Sequence, residues 1–418
     1  MTNTMTSERS RSADAELRER ARAVIPNGMY GHQSATYLPD NFPQFFARGE
    51  GSHLWDVDGN EYIDYLCAYG PILLGYRHPA VDQAAAGAQD NGDCFNGPSD
   101  KMVELAELLV EITPWADWAW MAKNGTDATV FAASLSRNAT GRQTILRARG
   151  AYHGASPTWI NGGDMALQAN GTIEYEYNDL GSVRTAVETA DGDAAAIIVS
   201  AFKHDVGYDQ ELPTVEFARG VRELCDANGI VLILDDVRGG FRIDMAGSWA
   251  PLGVDPDLSA YCKAIGNGHP ISALMGRESL TEAVASTFGT GSYWFTGAPM
   301  AAAQATIETM LETDGIAHLD RIGSALRSGW QRAADSHGVG VRQTGPVSIP
   351  LMLFDGDDMS TRDVPRAYRF SSELAERGVY LHPVHNGFLS TAISEEDIAH
   401  TLEASDEAFA VVASEFPA

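Results

Sequence analysis

Apolar and polar residues alternate with two different periods along the chain, and these periods predict its helices and strands. Residues 14–25 follow a helical period until Pro26, Asn27 and Gly28 end it. In residues 52–66 apolar and polar positions alternate on both sides of Asp58-Gly59, a dipeptide that favours a tight turn. The pattern therefore predicts a short amphipathic helix followed by a β-hairpin.

Residues 75–305 alternate between helical segments and short apolar ones, which is typical of an α/β domain with a mostly parallel sheet. Two apolar runs, residues 195–202 (AAIIVSAF) and 230–237 (IVLILDDV), are rich in β-branched residues and are flanked by polar helical segments. Strands buried on both faces have this composition. We predict that these two strands are neighbours in the sheet.

The last quarter of the chain returns to a helical period. An Ala-rich helix is followed by a second helix that Gly338 ends. Residues 347–355 and 378–384 are predicted strands, and the last helix begins after Ser394, with Asp397 completing a capping box.

The 418 residues allow two lobes. We expect an N-terminal segment over residues 1–70 that belongs to the smaller domain and to the active-site entrance. A large domain over residues 71–305 and a C-terminal small domain over residues 306–418 complete the division.

Composition narrows the possible partners and the location. Acidic residues outnumber basic ones 57 to 29, for a formal charge of −28, and no basic run interrupts this excess. Such a surface repels nucleic acid. The sequence has no apolar segment near the roughly 18 residues that a membrane span needs, and the first residues do not resemble a secretory signal. We expect a cytoplasmic protein with no membrane or nucleic-acid partner.

The four cysteines are scattered along the chain, with no CxxC pair and no histidine at the spacing of metal ligands. We expect no metal site and no disulfide framework, but buried reduced thiols. They are Cys67, Cys94, Cys225 and Cys262.

Two charged residues mark candidate chemistry. Asp235 ends the predicted strand 230–237, and the carboxyl ends of parallel strands are where α/β folds bind ligands. Lys263 follows inside an apolar, Gly-rich stretch, where burial would lower its pKa and make the amine a nucleophile. Pyridoxal phosphate (PLP) needs both an amine for its aldehyde and a carboxylate for its ring nitrogen. Taken alone, the pair fits more simply a carboxylate that caps a turn and a lone lysine whose amine reaches the solvent.

Two turns could complete a cofactor site. Asn124-Gly125-Thr126 joins an apolar stretch to an Ala-rich helix, and the free N–H groups of a helix start suit a phosphate. The same residues also fit a plain N-cap turn. Tyr152-His153 lies in a loop and could either stack on a flat ring or pack at the surface.

In this order the elements resemble the class III aminotransferases, and among them the branch that includes glutamate-1-semialdehyde aminomutase. The resemblance runs from about Pro26 to the C-terminus. The matching phrases are GSHLWDVDGNEYIDY, LLGYRHPAV, NGTDA, YHG, GIVLILDDVRGGFR, GVDPDLSAYCKAIGNGHPISALMG and GVYLHPVHNGFLS. It implies the type I fold of PLP-dependent transferases, with a large domain built on a mostly parallel seven-stranded sheet and a smaller α+β domain.

The resemblance also implies roles. Lys263 would bind the cofactor aldehyde and shuttle the proton, Asp235 would pair with the ring nitrogen, and Val237 and Tyr152 would pack on the two ring faces. The family is a homodimer in which a hydroxyl of the partner subunit completes the phosphate site, and Thr290, Ser292 and Thr296 are the alternatives for it. The implied cofactor-binding set is Asn124, Gly125, Thr126, Tyr152, His153, Asp235, Val237, Lys263, Ser292 and Thr296.

One departure from the family concerns the substrate. The aminomutases and β-amino-acid aminotransferases place an arginine for the substrate carboxylate in the N-terminal loop, but residues 27–44 contain none. The substrate therefore lacks a carboxylate at that point or meets another arginine, such as Arg369, which equally fits a surface helix. The substrate-binding candidates are Tyr30, His32, Tyr69 and His385, with Asn386 beside the last.

The sequence thus predicts a PLP-dependent aminotransferase that moves an amino group from an amine or amino acid to a keto acid or aldehyde. An intramolecular aminomutase of the glutamate-1-semialdehyde type is the alternative within the enzymes. A non-catalytic PLP-binding protein is a more remote one, since Lys263, Asp235, Tyr152 and Thr126 are all intact.

Overall fold

The computed structural model of the protein describes residues 9–156, 159 and 171–417. Helices and strands alternate through most of this part of the chain. The helices are α1 (Ser12–Val24), α2 (Pro79–Asp90), α3 (Asp100–Ile112), α4 (Gly125–Thr140), α5 (Leu180–Thr189), α6 (Val215–Asn228), α7 (Thr281–Ser286), α8 (Gly297–Glu312), α9 (Gly315–His337), α10 (Pro365–Glu376) and α11 (Glu395–Glu415). The strands are β1 (Phe46–Glu50), β2 (His53–Asp56), β3 (Glu61–Asp64), β4 (Trp118–Ala122), β5 (Thr144–Ala148), β6 (Thr172–Tyr175), β7 (Ala194–Ser200), β8 (Val231–Asp235), β9 (Leu258–Tyr261), β10 (Ser272–Gly276), β11 (Val341–Thr344), β12 (Leu351–Phe354) and β13 (Val379–Tyr380).

A seven-stranded sheet forms the centre of the larger part, in the order β4-β10-β9-β8-β7-β5-β6. Only β10 runs antiparallel to its neighbours, so the prediction of a mostly parallel sheet is confirmed. Strands β7 and β8 pair side by side and are buried along their whole length, as their β-branched composition predicted. Their carboxyl ends meet where Ser200 is opposite Asp235.

A smaller sheet joins distant parts of the chain. The predicted hairpin is confirmed as the antiparallel pair β2 and β3, and β13 from the C-terminal region adds to β3 in parallel. The strand predicted over residues 378–384 is wrong beyond Tyr380. There His382 Nδ1 accepts hydrogen bonds from the N–H groups of Val384 and His385, so a side chain replaces the strand ladder and turns the chain.

The predicted helix ends are also confirmed. Gly338 follows α9 in the left-handed conformation, with a φ of 68°. The Ser394 hydroxyl accepts from the Asp397 N–H at 3.0 Å, and the Asp397 carboxylate accepts from the Ser394 N–H at 2.9 Å. This reciprocal pair is the capping box that the sequence predicts for α11.

The cysteine prediction is only partly right. All four thiols are free, and Cys67 and Cys225 are buried, but Cys94 is exposed and Cys262 is half-buried. Across the described ranges, no helix has both the length and the apolar character that crossing a bilayer requires. The same ranges contain no group of three or more metal-ligating side chains arranged around a common point.

Replacing Ser394 with Ala should lower the free energy of unfolding by about 1 kcal/mol, because the N–H of Asp397 loses its acceptor. Ser394→Thr keeps a hydroxyl at the same position and serves as the matched control. Thermal unfolding of the two variants and the wild type measures the difference. Equal stability of the Ala and Thr variants would contradict this role for the cap.

Candidate active site

The carboxylate of Asp235 lies at the end of β8, at the edge of the central sheet. Its Oδ2 lies 2.7 Å from His153 Nδ1, and its Oδ1 accepts from the Val237 N–H at 3.2 Å. Since an ionised carboxylate only accepts hydrogen bonds, Nδ1 is the protonated nitrogen of this pair. Both side chains are buried. His153 therefore fixes the direction of Asp235, which is a positioning contribution made through the carboxylate.

Lys263 follows β9, the neighbour of β8, in a short turn. Its φ of 52° is uncommon for a residue with a side chain, and such strain is held only where the surroundings enforce it. Its Nζ donates to the carbonyl oxygen of Tyr69 at 3.2 Å. Burial, with a smaller contribution from the positive charge of Arg238, lowers the pKa of Lys263 to about 7. A large fraction of this amine is thus neutral and nucleophilic at neutral pH.

Asp235 and Lys263 both face a cavity of about 440 Å³. Eleven of the residues that the sequence predicts for the site line it: His32, Tyr69, Asn124, Gly125, Thr126, Tyr152, His153, Asp235, Val237, Lys263 and His385. The structure therefore brings together segments that are more than 350 positions apart in the sequence.

The turn between β4 and α4 forms one end of the cavity. Asn124 caps the helix, and its N–H donates to the Asp127 carboxylate in a capping box, so the plain N-cap interpretation is confirmed. A Cβ on Gly125 would lie 2.9 Å from Val237, and one on Gly154 would lie 2.5 Å from Thr126 Oγ1. Glycine alone allows these turns to pack so closely, and the start of a helix is a place that suits an anion.

Aromatic side chains form the wall beside the N-terminal segment. Tyr69 packs edge-on against His32, with 4.4 Å between ring centroids, and against His385 at 5.3 Å. The Tyr69 hydroxyl donates to the carbonyl oxygen of His32. Burial lowers the pKa of His32 and lowers that of His385 well below its ordinary value, so both rings are neutral at pH 7. This wall offers no positive charge to a carboxylate.

Several predicted residues lie away from the cavity of their own chain. Tyr30 is 71% exposed and does not line it. Ser292 is exposed, while Thr296 is buried and its hydroxyl donates to the Tyr293 carbonyl. Arg369 forms ion pairs with two glutamates at the surface, so the surface-helix interpretation of this residue is correct.

Other residues that line the cavity were not predicted from the sequence: Gly150, Gly154, His204, Asp205, Val206, Arg238 and Cys262. Three of these residues could have been predicted from the rule that ligands bind beyond the carboxyl ends of parallel strands. His204 and Asp205 follow β7, and Arg238 follows β8. The signal was present in the order of the chain, but no spacing rule singled these residues out.

The arrangement fits pyridoxal phosphate. A largely neutral buried amine faces the cavity, a carboxylate held by His153 lies at the strand end, and the glycine-packed start of α4 suits a phosphate. These are the three groups that the cofactor requires.

Comparison with known proteins decides the family. The model of the family described as "Aminotransferase class-III" matches residues 36–409. The chain is a class III aminotransferase. The type I fold and the use of PLP go with this family, and both predictions are confirmed.

Individual relatives agree with this assignment. The aminotransferase is 46% identical to an aminopentol aminotransferase of Sphingopyxis macrogoltabida, over 96% of this chain and 94% of the relative. It is 34% identical to a 3-aminobutyryl-CoA aminotransferase of Cloacimonas acidaminovorans, over 95% and 96% of the two chains. The solved structure of the FumI protein of Sphingopyxis sp. MTA144, in its PLP internal aldimine form, superposes with a TM-score of 0.93. It is 46% identical and covers 96% of this chain and 97% of its own. The aminomutase alternative is not favoured, since both named relatives are aminotransferases.

Replacing Gly154 with Ala should weaken PLP binding, because the new Cβ displaces Thr126 and the φ of 122° is strained for alanine. We expect at least a tenfold higher dissociation constant, measured by titrating the cofactor-free protein with PLP. Gly87→Ala, at an exposed position of α2 with open space around it, is the control and should bind PLP normally. Unchanged affinity of Gly154→Ala would show that this turn does not shape the phosphate end.

Capture of PLP by the cofactor-free protein should depend on pH. Below about pH 7 Lys263 is protonated, so the capture rate should fall about tenfold for each further pH unit, and above that value it should level off. The return of the cofactor absorbance measures the rate. A midpoint near the ordinary lysine pKa would mean that burial does not activate this amine.

Proposed function

We propose that this aminotransferase takes the amino group from a primary amine that has no free carboxylate beside the amine, and delivers it to a keto acid. The observation that carries this proposal is the wall beside the N-terminal segment. Where the resemblance leads us to expect an arginine, His32 and Tyr69 supply neutral rings and a hydroxyl. A guanidinium–carboxylate pair is not replaced by such groups.

The names of the two relatives support the same substrate class. An aminopentol is by its name an amine that carries five hydroxyl groups, and 3-aminobutyryl-CoA is a thioester whose carboxylate is blocked. Neither presents a free carboxylate next to its amine. We therefore propose that a neutral, hydroxyl-bearing or thioester-bearing amine fits the wall of Tyr69, His32 and His385.

The roles of the charged groups follow from their geometry. PLP supplies an aldehyde that condenses with amines and a ring that accepts electrons while its nitrogen is protonated. Asp235, held by His153, would keep that nitrogen protonated. Lys263 Nζ would hold the aldehyde and would serve as the base for the proton of the donor carbon. Val237 and Tyr152 would lie against the ring, and Asn124, Gly125 and Thr126 would hold the phosphate.

We further propose a cytoplasmic homodimer whose subunits complete each other's sites. Phe288 and Tyr293 are 91% and 70% exposed, and large apolar side chains this exposed are typical of a surface covered by a partner. They lie in the same segment as Thr290, Ser292 and Thr296, the alternatives for the hydroxyl that reaches the other subunit's phosphate. The division at residues 1–70, 71–305 and 306–418 is part of this proposal.

Replacing Lys263 with Ala should abolish amino transfer and the absorbance of lysine-bound PLP, because Lys263 is the one lysine among the described residues that line the cavity. Lys101→Ala, at the surface of α3, removes a lysine of the same type and should leave both unchanged. Absorbance spectra and turnover are measured on the three proteins. Normal absorbance in Lys263→Ala would contradict the assignment.

A donor screen tests the substrate class. Stopped-flow mixing with a carboxylate-free amine alone should convert the cofactor absorbance fully and release one carbonyl product per site. Aminotransfer to pyruvate should be faster from such amines than from β-amino acids. The reason is that the wall of Tyr69, His32 and His385 has no cation to pair with the carboxylate of a β-amino acid. A preference for β-amino acids would contradict the proposal.

A further inference from the structure

Arg238 is a positive charge in the cavity that the cofactor chemistry described above does not use. It lies in the turn after β8, three residues beyond Asp235, and its side chain lines the cavity. Its NH1 donates to the side-chain oxygen of Asn386, and its guanidinium carbon lies 5.9 Å from the ring centroid of Phe388. Lys263 Nζ lies at the same distance from that ring. The charge of Arg238 acts on the reactive amine, because it lowers the pKa of Lys263.

This guanidinium has no anionic partner among the described residues. Its single protein hydrogen bond goes to a neutral amide, which uses one of the five N–H donors of an arginine. Burial lowers the pKa of Arg238 to about 10, against the attraction of Asp235 and Asp205. A charge removed from water without a paired anion is costly, so an arginine in this state is suited to receive an anion from outside.

The two carboxylates of the cavity do not fill this need. Asp235 is hydrogen-bonded to His153 and is directed to the cofactor nitrogen in the proposed function. Asp205 lines the cavity and attracts Arg238, but it forms no ion pair with it. The donors that Arg238 does not share with Asn386 are therefore free for a ligand.

Arg242, four residues further on, shows the contrast. It is fully buried, and its guanidinium donates to the carbonyl oxygens of Gly70, Ile72 and Leu389. Both of its NH2-type nitrogens thus donate to backbone carbonyls within the fold, and its role is structural. Arg238 comes from the same turn region but faces the cavity.

The charge of Arg238 dominates the electrostatics of this part of the cavity. After burial itself, it is the main charge that lowers the pKa of Lys263, His204 and His385. The histidines around it are consequently neutral. An anion that enters the cavity meets the fixed positive charge of Arg238 beside the neutral rings of His204 and His385.

We propose that Arg238 binds the carboxylate of the keto-acid acceptor, and of the amino acid formed from it, while Asn386 positions the guanidinium. A planar guanidinium binds a carboxylate through two parallel hydrogen bonds, which fixes the carbonyl carbon of the acceptor relative to Lys263. A carboxylate-free amine leaves Arg238 on Asn386. This inference rests on the proposed function, and it explains how one cavity accepts both kinds of substrate.

The test separates the two halves of the reaction in the PLP-loaded enzyme. Arg238→Gln keeps a polar side chain at the position but removes the charge. In single-turnover mixing, the conversion of the cofactor absorbance by a carboxylate-free amine should change less than threefold. Its reversal by pyruvate should lose roughly a hundredfold in kcat/KM, mostly through KM. Arg238→Lys should recover part of the loss.

A second measurement does not depend on turnover. Propionate, a carboxylate with no carbonyl to react, should compete with pyruvate in the wild type and should lose this competition in Arg238→Gln. Arg369→Gln removes a surface arginine of the same type and should match the wild type in every assay. Thermal unfolding and the cofactor spectrum establish that the variants are folded and loaded.

Three results would overturn the inference. Pyruvate kinetics unchanged in Arg238→Gln would exclude it, and so would retained competition by propionate. Equal losses with the amine and with pyruvate would assign Arg238 to the cofactor instead. Failure of the proposed function looks different, because the wild type itself would then fail to convert its absorbance with carboxylate-free amines.

Discussion

The hydrogen bond between His153 and Asp235 is the contact on which the rest of the site depends. Both side chains are buried at the end of β8, where a carboxylate without a partner would be costly. Because β8 and β9 are neighbours in register, Asp235 is paired with Ala260, and the chain reaches Lys263 three residues later. The parallel sheet thus brings an acid and an amine to the same edge, where both line the cavity.

Burial then sets the chemistry of each group around this pair. It lowers the pKa of Lys263 to about 7, and it keeps His385 neutral. Close packing has a similar part at the phosphate end, where Gly125 and Gly154 have no room for a side chain. Exclusion of water thus makes the Lys263 amine a nucleophile. Exclusion of side chains by close packing shapes the site proposed for the phosphate.

The cavity combines a neutral wall with a cation, and this combination explains the proposed range of substrates. The wall of Tyr69, His32 and His385 is neutral, while Arg238 is a single cation held by an amide. A site of this kind can hold a neutral amine without leaving a charge on that wall unpaired. It can also bind a carboxylate in one fixed orientation, which is what transfer between unlike substrates requires.

The sequence by itself determined the local elements and the family. Short-range patterns predicted strands β7 and β8, the hairpin around Asp58-Gly59 and the Ser394 cap. The order of the sequence segments around Asp235 and Lys263 indicated the cofactor. Only the tertiary structure decided which side chains share the cavity. Contacts between residues far apart in sequence decide that Arg238 has no ion-pair partner, that Arg369 forms surface ion pairs and that Tyr30 is exposed. Local periodicity does not predict such contacts. The strand at Val379–Tyr380 is likewise shorter than its apolar pattern predicts. The side chain of His382 accepts the hydrogen bond of a backbone N–H that would otherwise belong to the strand.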